Sequence, residues 1–346
     1  MVYPGVFGEI IAWYIMSNKM IYSAEEALRA AISSVVNNSS TQRLSDASRR
    51  LSQRYRGPRT GIHLVQTDTE AEAYVAARLP ATFAALTHVF QAAAVLEPDF
   101  SPASQLDLGA GTGAAAWAAA AVWPSVKAIT LLEKDERMIK LGRRLCSADL
   151  RVGKATAWKW RQGDLTRAHL ELHDLVTVSY TLGELNAKQA VSAARSAWQA
   201  TRGLLVIVEP GTTIGFSLIR EIRRVLIEDG ADLLAPCPHD RVCPITEHDW
   251  CHFDARVPRS ALHRQIKDAD LSYEDEKFSY LVFTRTPARR APARILRHPS
   301  RPPRQIQFVA CTNTGLRTIH ITKSHPDFMS VKKLGWGSAL PEEVLQ

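Results

Sequence analysis

The sequence predicts an α/β protein built on a mainly parallel sheet, and three observations support this class. After Pro98, short apolar segments alternate with longer segments of helical periodicity. Helices of this length between strands indicate right-handed crossovers in a parallel sheet. A glycine-rich turn, Asp-Leu-Gly-Ala-Gly-Thr-Gly at 107–113, joins the first predicted strand to the first crossover helix. The composition, 46% hydrophobic and 23% charged, argues against disorder or a fibrous repeat.

The periodicity places the elements in order along the chain. Apolar residues at helical spacing predict a helical N-terminal region over 23–56 and 74–96. The predicted strands are 105–108, 126–133, 174–180, 204–209 and a closing strand at 279–284. The predicted crossover helices are 114–123, 135–146, 187–200 and 216–228. Short β-like segments follow at 305–310 and 316–322, which indicates a small C-terminal module.

The glycine turn predicts a nucleotide-binding site of the Rossmann type. Gly109, Gly111 and Gly113 allow a sharp turn and bring backbone N–H groups close to a ligand. Glu133 ends the next predicted strand, where a carboxylate accepts hydrogen bonds from ribose hydroxyls.

Two acids favour S-adenosylmethionine over a dinucleotide in this site. The letters Gly109-x-Gly111-x-x-Ala114 also satisfy the dinucleotide pattern, so a nicotinamide or flavin enzyme is an alternative, as is a turn that binds nothing. Asp107, two residues before the first glycine, is typical of methyltransferases, where the acid lies near the methionine part of the cofactor. Asp164, after the presumed third strand, is where methyltransferases commonly contact adenine.

The segment 179–185, Ser-Tyr-Thr-Leu-Gly-Glu-Leu, follows the fourth predicted strand at the edge where open α/β sheets bind ligands. It differs from the Asn/Asp-Pro-Pro-Tyr/Phe motif with which amino-group methyltransferases orient a nitrogen. Tyr180 and Glu184 are the nearest candidates for a general base. A loop that merely packs its two leucines is the alternative.

Four of the five cysteines form a candidate metal site. Cys237, Cys243 and Cys251 are separated by five and seven residues, and Cys311 follows much later. Four thiolates suffice for a [4Fe–4S] cluster or a structural zinc, and the spacing does not separate the two. His239 and His252 are substitute ligands. Buried unpaired cysteines, or a nucleophilic Cys237, are the alternatives.

The positive charge of the chain is concentrated near its C-terminus. The net charge is +8, yet residues 285–333 alone contain eleven Lys or Arg and one acid, or +10. A Pro- and Arg-rich run over 286–304 predicts an extended arm that follows an RNA backbone, with a solvated tail as the alternative. The candidate RNA-binding residues in this run are Arg289, Arg290, Arg294, Arg297, Arg301 and Arg304.

The chain length predicts one large domain with additions. We divide it into a helical N-terminal region (1–98), a Rossmann-like domain with a cysteine-bearing insertion at 230–255 (99–285), and a basic C-terminal module that contributes Cys311 (286–346). Residues 1–17 lack the basic start and cleavage site of a signal peptide, and Glu9 interrupts them, so no membrane association is expected. Cysteines without a secretory signal indicate a cytoplasmic protein, which we expect to be monomeric.

Seven motifs together resemble one family, the methyltransferase-like proteins of small-ribosomal-subunit assembly, which comprise Rsm22-like mitochondrial proteins and bacterial relatives. The motifs are 107–113, 179–185, Val-Glu-Pro-Gly at 208–211, Ala-Pro-Cys-Pro-His at 235–239, Cys-Pro at 243–244, Asp-Trp-Cys-His-Phe at 249–253 and Trp-Gly at 336–337. The resemblance implies a methyltransferase fold, association with the small subunit and its rRNA, and a [4Fe–4S] cluster on Cys237, Cys243, Cys251 and Cys311.

Three functions follow as hypotheses. The first is a methyltransferase that modifies small-subunit rRNA or a ribosomal protein. The second is an assembly factor without catalysis, in which cofactor pocket and metal site maintain a shape that supports rRNA; a structural zinc would serve this role. The third and most distant is a nicotinamide-dependent oxidoreductase with an Fe–S centre.

Overall fold

The computed structural model describes residues 4–56, 65–148, 156–246 and 248–345, with the side chains of 4–17, 55 and 56 outside the description. The N-terminal region is helical, as predicted. Its helices are α1 (Pro4–Val36), α2 (Thr41–Arg56), α3 (Asp68–Ala77) and α4 (Leu79–Leu96). The segment 23–56 is divided between α1 and α2 by Asn37-Asn38-Ser39-Ser40, residues that favour turns over helix.

Helix α4 is one of the walls of the protein core. Among the described residues it is the one helix whose length and apolar composition would allow it to cross a membrane, but 61% of that stretch is buried inside the protein. Its apolar residues pack on the central sheet and on the helix at Ala114–Val122.

An eight-stranded sheet forms the centre of the molecule, and it confirms the predicted α/β class. Its strands are β1 (Ser104–Leu108), β2 (Ala128–Glu133), β3 (Ala157–Gln162), β4 (His173–Ser179), β5 (Thr201–Pro210), β6 (Asp232–Ala235), β7 (Phe253–Pro258) and β8 (Tyr273–Thr284). The helices between them are α5 (Ala114–Val122), α6 (Glu136–Ala148), α7 (Ala187–Gln199), α8 (Thr213–Glu228) and α9 (Ala261–Lys267). The strand order is β3-β2-β1-β4-β5-β8-β6, and β7 pairs with another part of β8.

The direction of β8 distinguishes this sheet from a dinucleotide-binding one. Strands β1 to β5 are mutually parallel, whereas β8 runs antiparallel to β5 and stands between β5 and β6. This arrangement is that of Rossmann-like methyltransferase domains. Strand β1 lies between β2 and β4, so the order in which strands are added to the sheet reverses at β1. In open α/β sheets, ligands bind at the carboxyl ends of the strands at such a point.

A second sheet is formed by the C-terminal residues. Strands β9 (Ala293–Ile295), β10 (Gln305–Thr312), β11 (Gly315–Thr322) and β12 (Ala339–Leu340) are ordered β11-β10-β9-β12, and α10 (Phe328–Val331) packs on them. Ile306, Phe308 and Ile321 lie in a core of its own. The predicted small β module is therefore present.

Two details of the predicted organisation differ from the structure. The run 286–304 is not a free arm, because β9 lies within it and Arg294 is 5% exposed. The segment 230–255 is not wholly an insertion, because β6 and the start of β7 belong to the main sheet; the irregular part that carries the cysteines is 236–252. Backbone pairing in short strands outweighed the turn-forming composition of both segments.

A bidentate ion pair joins the N-terminal helices to the main sheet. Arg78, at the junction of α3 and α4, donates from Nη1 and Nη2 to the two carboxylate oxygens of Glu276 on β8, over 2.9 and 2.8 Å. Glu276 is 9% exposed whereas the Arg78 side chain is 34% exposed, so the carboxylate is the better shielded partner. Removal of one partner leaves the other charge without its hydrogen bonds.

We therefore predict that Glu276→Gln lowers the free energy of unfolding by about 2 kcal/mol, the usual contribution of hydrogen bonds to a charged group. The control is Asp275→Asn on the same strand, where the partner Arg256 is 63% exposed and the pair contributes less than about 1 kcal/mol. Thermal unfolding of both variants measures the difference. Equal losses of stability would contradict the role given to the Arg78–Glu276 pair.

Candidate functional site

Three glycines with left-handed backbone conformations form the turn between β1 and α5. The φ angles of Gly109, Gly111 and Gly113 are +68°, +56° and +93°. Residues with a Cβ atom rarely adopt these angles. A Cβ on Gly109 would also lie 2.4 Å from the side chain of Thr181, so the turn and the segment 179–185 are in direct contact.

The carboxylate of Glu133 stabilises this turn from the end of β2. One oxygen accepts a 2.8 Å hydrogen bond from the N–H of Gly111, and the other accepts a 2.9 Å bond from the N–H of Asp135. Glu133 is 8% exposed, and this burial raises the pKa of its carboxyl group although both hydrogen bonds oppose the shift. Glu133 thus lies beside the turn, where the sequence predicted a ribose-binding acid.

Asp107 lies behind the turn and is fully enclosed. It is 1% exposed, and its Oδ1 accepts a 2.7 Å hydrogen bond from Thr177 on β4. The other oxygen, Oδ2, is buried without a hydrogen-bond partner. Burial raises the pKa of Asp107 to about 7. Asp107 does not form part of the cavity wall.

A cavity of about 730 Å³ opens above the turn, at the carboxyl ends of the parallel strands. Its wall contains Gly109, Gly111, Glu133 and Asp164, which are four of the six residues predicted to bind the cofactor. Asp164 accepts hydrogen bonds from the backbone N–H and the hydroxyl of Thr166, and these bonds lower the pKa of its carboxyl group. Helix α2 and the end of α9 cover the far side of the cavity.

The two candidate bases also line this cavity, but neither is a free base. Burial and the Glu276 carboxylate raise the pKa of Tyr180 well above its usual value, so the phenol stays protonated at neutral pH. Tyr180 also has a left-handed φ of +55°. Glu184 lies in a 3₁₀ turn, and its Oε2 is 3.4 Å from Nζ of Lys134.

Glu209 is a residue of the site that sequence reasoning missed. It is the next-to-last residue of β5 and is 1% exposed, and its Oε1 accepts hydrogen bonds from the N–H groups of Thr181 and Leu182, at 3.1 and 2.8 Å. It therefore fixes the start of the 3₁₀ turn beside the glycine turn. An acid at the end of an apolar strand, in Val-Glu-Pro-Gly, was the available signal.

A second, small cavity of about 40 Å³ lies between α8 and the C-terminal sheet. Its wall contains Cys237, Cys243, Cys251 and Cys311. Burial, together with the neighbouring cysteines, raises the pKa of three of these thiols. The pKa of Cys243 is raised, that of Cys251 lies well above its usual value, and that of Cys311 is about 12. As the side chains lie, the described residues contain no group of three or more His, Cys, Asp or Glu arranged to hold a metal ion.

The histidines near the cysteines have different positions. His239 Nε2 is 3.8 Å from Sγ of Cys311, whereas Nδ1 of His252 is 3.1 Å from the carbonyl oxygen of Trp250. Cys146 lies on α6 and does not line the cysteine cavity.

The six arginines predicted to bind RNA fall into two groups. Arg290, Arg294 and Arg297 make contacts within the protein: Arg290 with the Leu233 carbonyl, Arg294 with the carbonyls of Pro236 and Gly337, and Arg297 with Asp249. Arg289, Arg301 and Arg304 are exposed. Arg294 is buried against backbone acceptors, so it is not available to bind RNA. The three exposed arginines are the ones that remain candidates.

The strand order, the glycine turn and the cavity above it define a methyltransferase-like Rossmann domain. The sequence matches the model of the family described as mitochondrial small ribosomal subunit Rsm22 over residues 68–341. This match covers well over half of the chain, so the chain belongs to this family.

Two similar proteins are named as mitochondrial. The human mitochondrial ribosome assembly protein METTL17 is 27% identical over 291 residues, which cover 78% of this chain and 62% of that protein. The mitochondrial Rsm22-cox11 tandem protein 2 of Schizosaccharomyces pombe is 30% identical over 199 residues, or 52% of this chain and 26% of that protein. The chain therefore spans only part of the length of these relatives.

Among solved structures, similarity is lower. A putative RNA methyltransferase from Pyrococcus horikoshii is 15% identical, with 58% of this chain and 83% of that chain covered and a TM-score of 0.40. The plantazolicin methyltransferase BpumL, in complex with SAH, is 12% identical, with 78% and 100% covered and a TM-score of 0.41. These scores are too low to support an argument about ligands.

The predicted cytoplasmic location is wrong. The family and both curated relatives are named as mitochondrial, and this points to mitochondria. The prediction rested on the absence of a secretory signal, and this absence separates secreted from internal proteins but does not distinguish among internal compartments.

The buried carboxyl group of Asp107 generates a prediction for pH dependence. Its folded-state pKa of about 7 exceeds the ordinary value of 3.8, so its contribution to stability is complete below 3.8 and is lost as the pH rises through 7. Asp107→Asn has no carboxyl group to ionise, so the variant does not lose this stability as the pH rises. The melting temperature of the variant, relative to wild type, should therefore be higher at pH 8 than at pH 5.

Asp229→Asn is the control for this measurement. Asp229 is exposed, and its hydrogen bond to Arg195 lowers its pKa, so it is ionised at both pH values. Its difference from wild type should not change between pH 5 and pH 8. An equally constant difference for Asp107→Asn would contradict the raised pKa.

Proposed function

We propose that this chain binds S-adenosylmethionine in the cavity above the glycine turn and acts in the assembly of the small ribosomal subunit. The observation that supports the cofactor most strongly is the contact between Glu133 and the N–H of Gly111. It sets the Glu133 carboxylate, at the end of β2, against the glycine turn in the cavity wall, where a ribose would be recognised. Asp164 and Leu165 in the same wall would lie beside the adenine.

The partner is proposed from the family and from charge. The human relative is named a ribosome assembly protein, and this chain covers 62% of it. The C-terminal module carries the +10 segment, which suits a polyanion such as rRNA. We therefore assign the small subunit and its rRNA as partners, and we retain the monomer as the proposed state of the chain.

The site supports cofactor binding better than it supports base catalysis. S-adenosylmethionine, when bound, supplies an already activated methyl group, so the task of the protein is positioning. Thr181, held by Glu209, and Glu184 would lie on the acceptor side. Since Tyr180 is held protonated and Glu184 faces Lys134, a non-catalytic assembly factor is the second candidate.

A comparison of two glycines tests the cofactor. Gly111→Ala forces a Cβ into a left-handed position with only Met138 nearby, at 3.7 Å, so the fold should tolerate it. We predict that the Kd for S-adenosylhomocysteine, measured by calorimetry, rises about tenfold or more, which is about 1.4 kcal/mol. The expected cause is that the added Cβ shifts the backbone at position 111, which would contact the bound ligand.

Gly230→Ala is the matched control, because Gly230 also has a positive φ, +84°, and no atom lies within 4 Å of its added Cβ. Both variants lose about 1–2 kcal/mol of stability, because a residue with a Cβ is strained in the left-handed conformation. Only Gly111→Ala should weaken binding. An unchanged Kd of Gly111→Ala for S-adenosylhomocysteine would contradict the cofactor assignment. Tight binding of NAD in place of S-adenosylhomocysteine would contradict it as well.

We further propose that Cys237, Cys243, Cys251 and Cys311 hold a [4Fe–4S] cluster. Their shared cavity and their soft sulfur donors suit this group or a zinc ion. The cysteine side chains as they lie are not arranged as a metal site, and three of the four lie on the irregular segment 236–252, outside the paired strands. Since Cys311 lies on β10, the group would join the C-terminal sheet to the main domain.

Metal analysis of protein purified without oxygen tests this proposal. We predict a brown protein with broad absorption near about 400 nm and about four irons per chain. Cys243→Ser should lose most of this iron, because one of the four thiolates is gone. Cys146→Ser, a cysteine outside the cavity, should retain all of it. Zinc without iron would refute the cluster.

A further inference from the structure

A surface of the C-terminal module combines cations with aromatic rings. We call it the platform, and it consists of His298, Arg301, Lys332, Lys333 and Trp336. The rings of His298 and Trp336 meet edge to face, with centroids 4.9 Å apart. Nη2 of Arg301 donates to the carbonyls of Lys332 and Leu334, at 3.2 and 3.1 Å. Two distant segments of the chain are thus joined into one surface.

The charge of the platform is not neutralised within the protein. The nearby acid Asp249 already has a partner, since it pairs with Arg297. Across the described part of the chain, no carboxylate lies within ion-pair distance of Arg301, Lys332 or Lys333. These residues therefore present an uncompensated positive surface to solvent.

The platform is held in place before any partner binds. Pro299, Pro302 and Pro303 fix φ in the segment that carries His298 and Arg301, and Ser300 pairs with Gln307 of β10. Behind the platform, Trp336 also meets His252, with ring centroids 4.8 Å apart. A surface ordered in advance loses little conformational entropy on binding.

We propose that the platform binds an unpaired stretch of RNA. Cations track the phosphates, and a base stacks on the exposed ring of His298, which is backed by Trp336. Duplex RNA hides its base faces and would use only the cations. This inference rests on the proposed rRNA partnership and adds to it the surface and the single-stranded form of the ligand.

Fluorescence anisotropy of the full chain with a labelled unpaired RNA of about 15 nucleotides, and with the corresponding duplex, tests the platform. Lys332→Ala/Lys333→Ala should bind the unpaired RNA about tenfold more weakly at 0.1 M salt. The slope of log K against log salt should fall by about 1.4, or about 0.7 for each phosphate contact. The double variant Lys188→Ala/Arg264→Ala removes the same charge from exposed positions elsewhere and should bind like wild type.

His298→Ala separates stacking from charge. It should weaken binding of the unpaired RNA about fivefold or more and leave the duplex unchanged. Equal effects on both forms, or no effect, overturn the stacking role. If wild type binds RNA but both double variants bind equally well, the platform is wrong and the rRNA partnership stands. If wild type binds neither RNA at low salt, the proposed partnership itself fails.

Discussion

The left-handed backbone of Gly109, Gly111 and Gly113 is the constraint on which the candidate site depends. It allows the chain to leave β1, approach the end of β2 and enter α5 within a few residues. Three carboxylates are arranged around it. Glu133 binds the turn from the side, Asp107 lies buried beneath it, and Glu209 holds the neighbouring 3₁₀ turn. The cavity above the turn takes its shape from these contacts.

A second set of contacts joins the C-terminal sheet to this domain. The guanidinium of Arg294 donates to the carbonyl of Pro236, beside Cys237, and to that of Gly337. Cys311 on β10 faces the same cavity as the other three cysteines. One buried arginine therefore links segments that are far apart in sequence, and the four cysteines line the cavity between them. Trp336 of the platform also contacts His252, the residue that follows Cys251.

The sequence predicts the main sheet well because the buried parallel strands are continuous apolar runs between helices of clear periodicity. The predicted strand 105–108 and helix 114–123 correspond closely to β1 and α5. The short strands β6, β7 and β9 were missed. Four residues of β6 carry too little periodicity, and β9 lies in a Pro- and Arg-rich run whose composition indicates a loop.

The residues of the site also differ in how far the sequence alone predicts them. The glycines and Glu133 follow from local spacing, whereas the burial of Arg294 depends on backbone acceptors 43 and 58 residues away. Arginine is normally exposed, so only tertiary structure reveals this position. The hydrogen bonds of Glu209 and the pairing of Arg78 with Glu276 across 198 residues are equally invisible in the sequence.

A crystal structure of the full chain with S-adenosylhomocysteine tests the central claim most directly. The account predicts the ribose hydroxyls within hydrogen-bond distance of Glu133, the adenine beside Asp164 and Leu165, and the amino-acid part above Gly109 and Gly111. Ligand bound elsewhere, or an empty cavity at saturating concentration with the glycine turn unchanged, would contradict it.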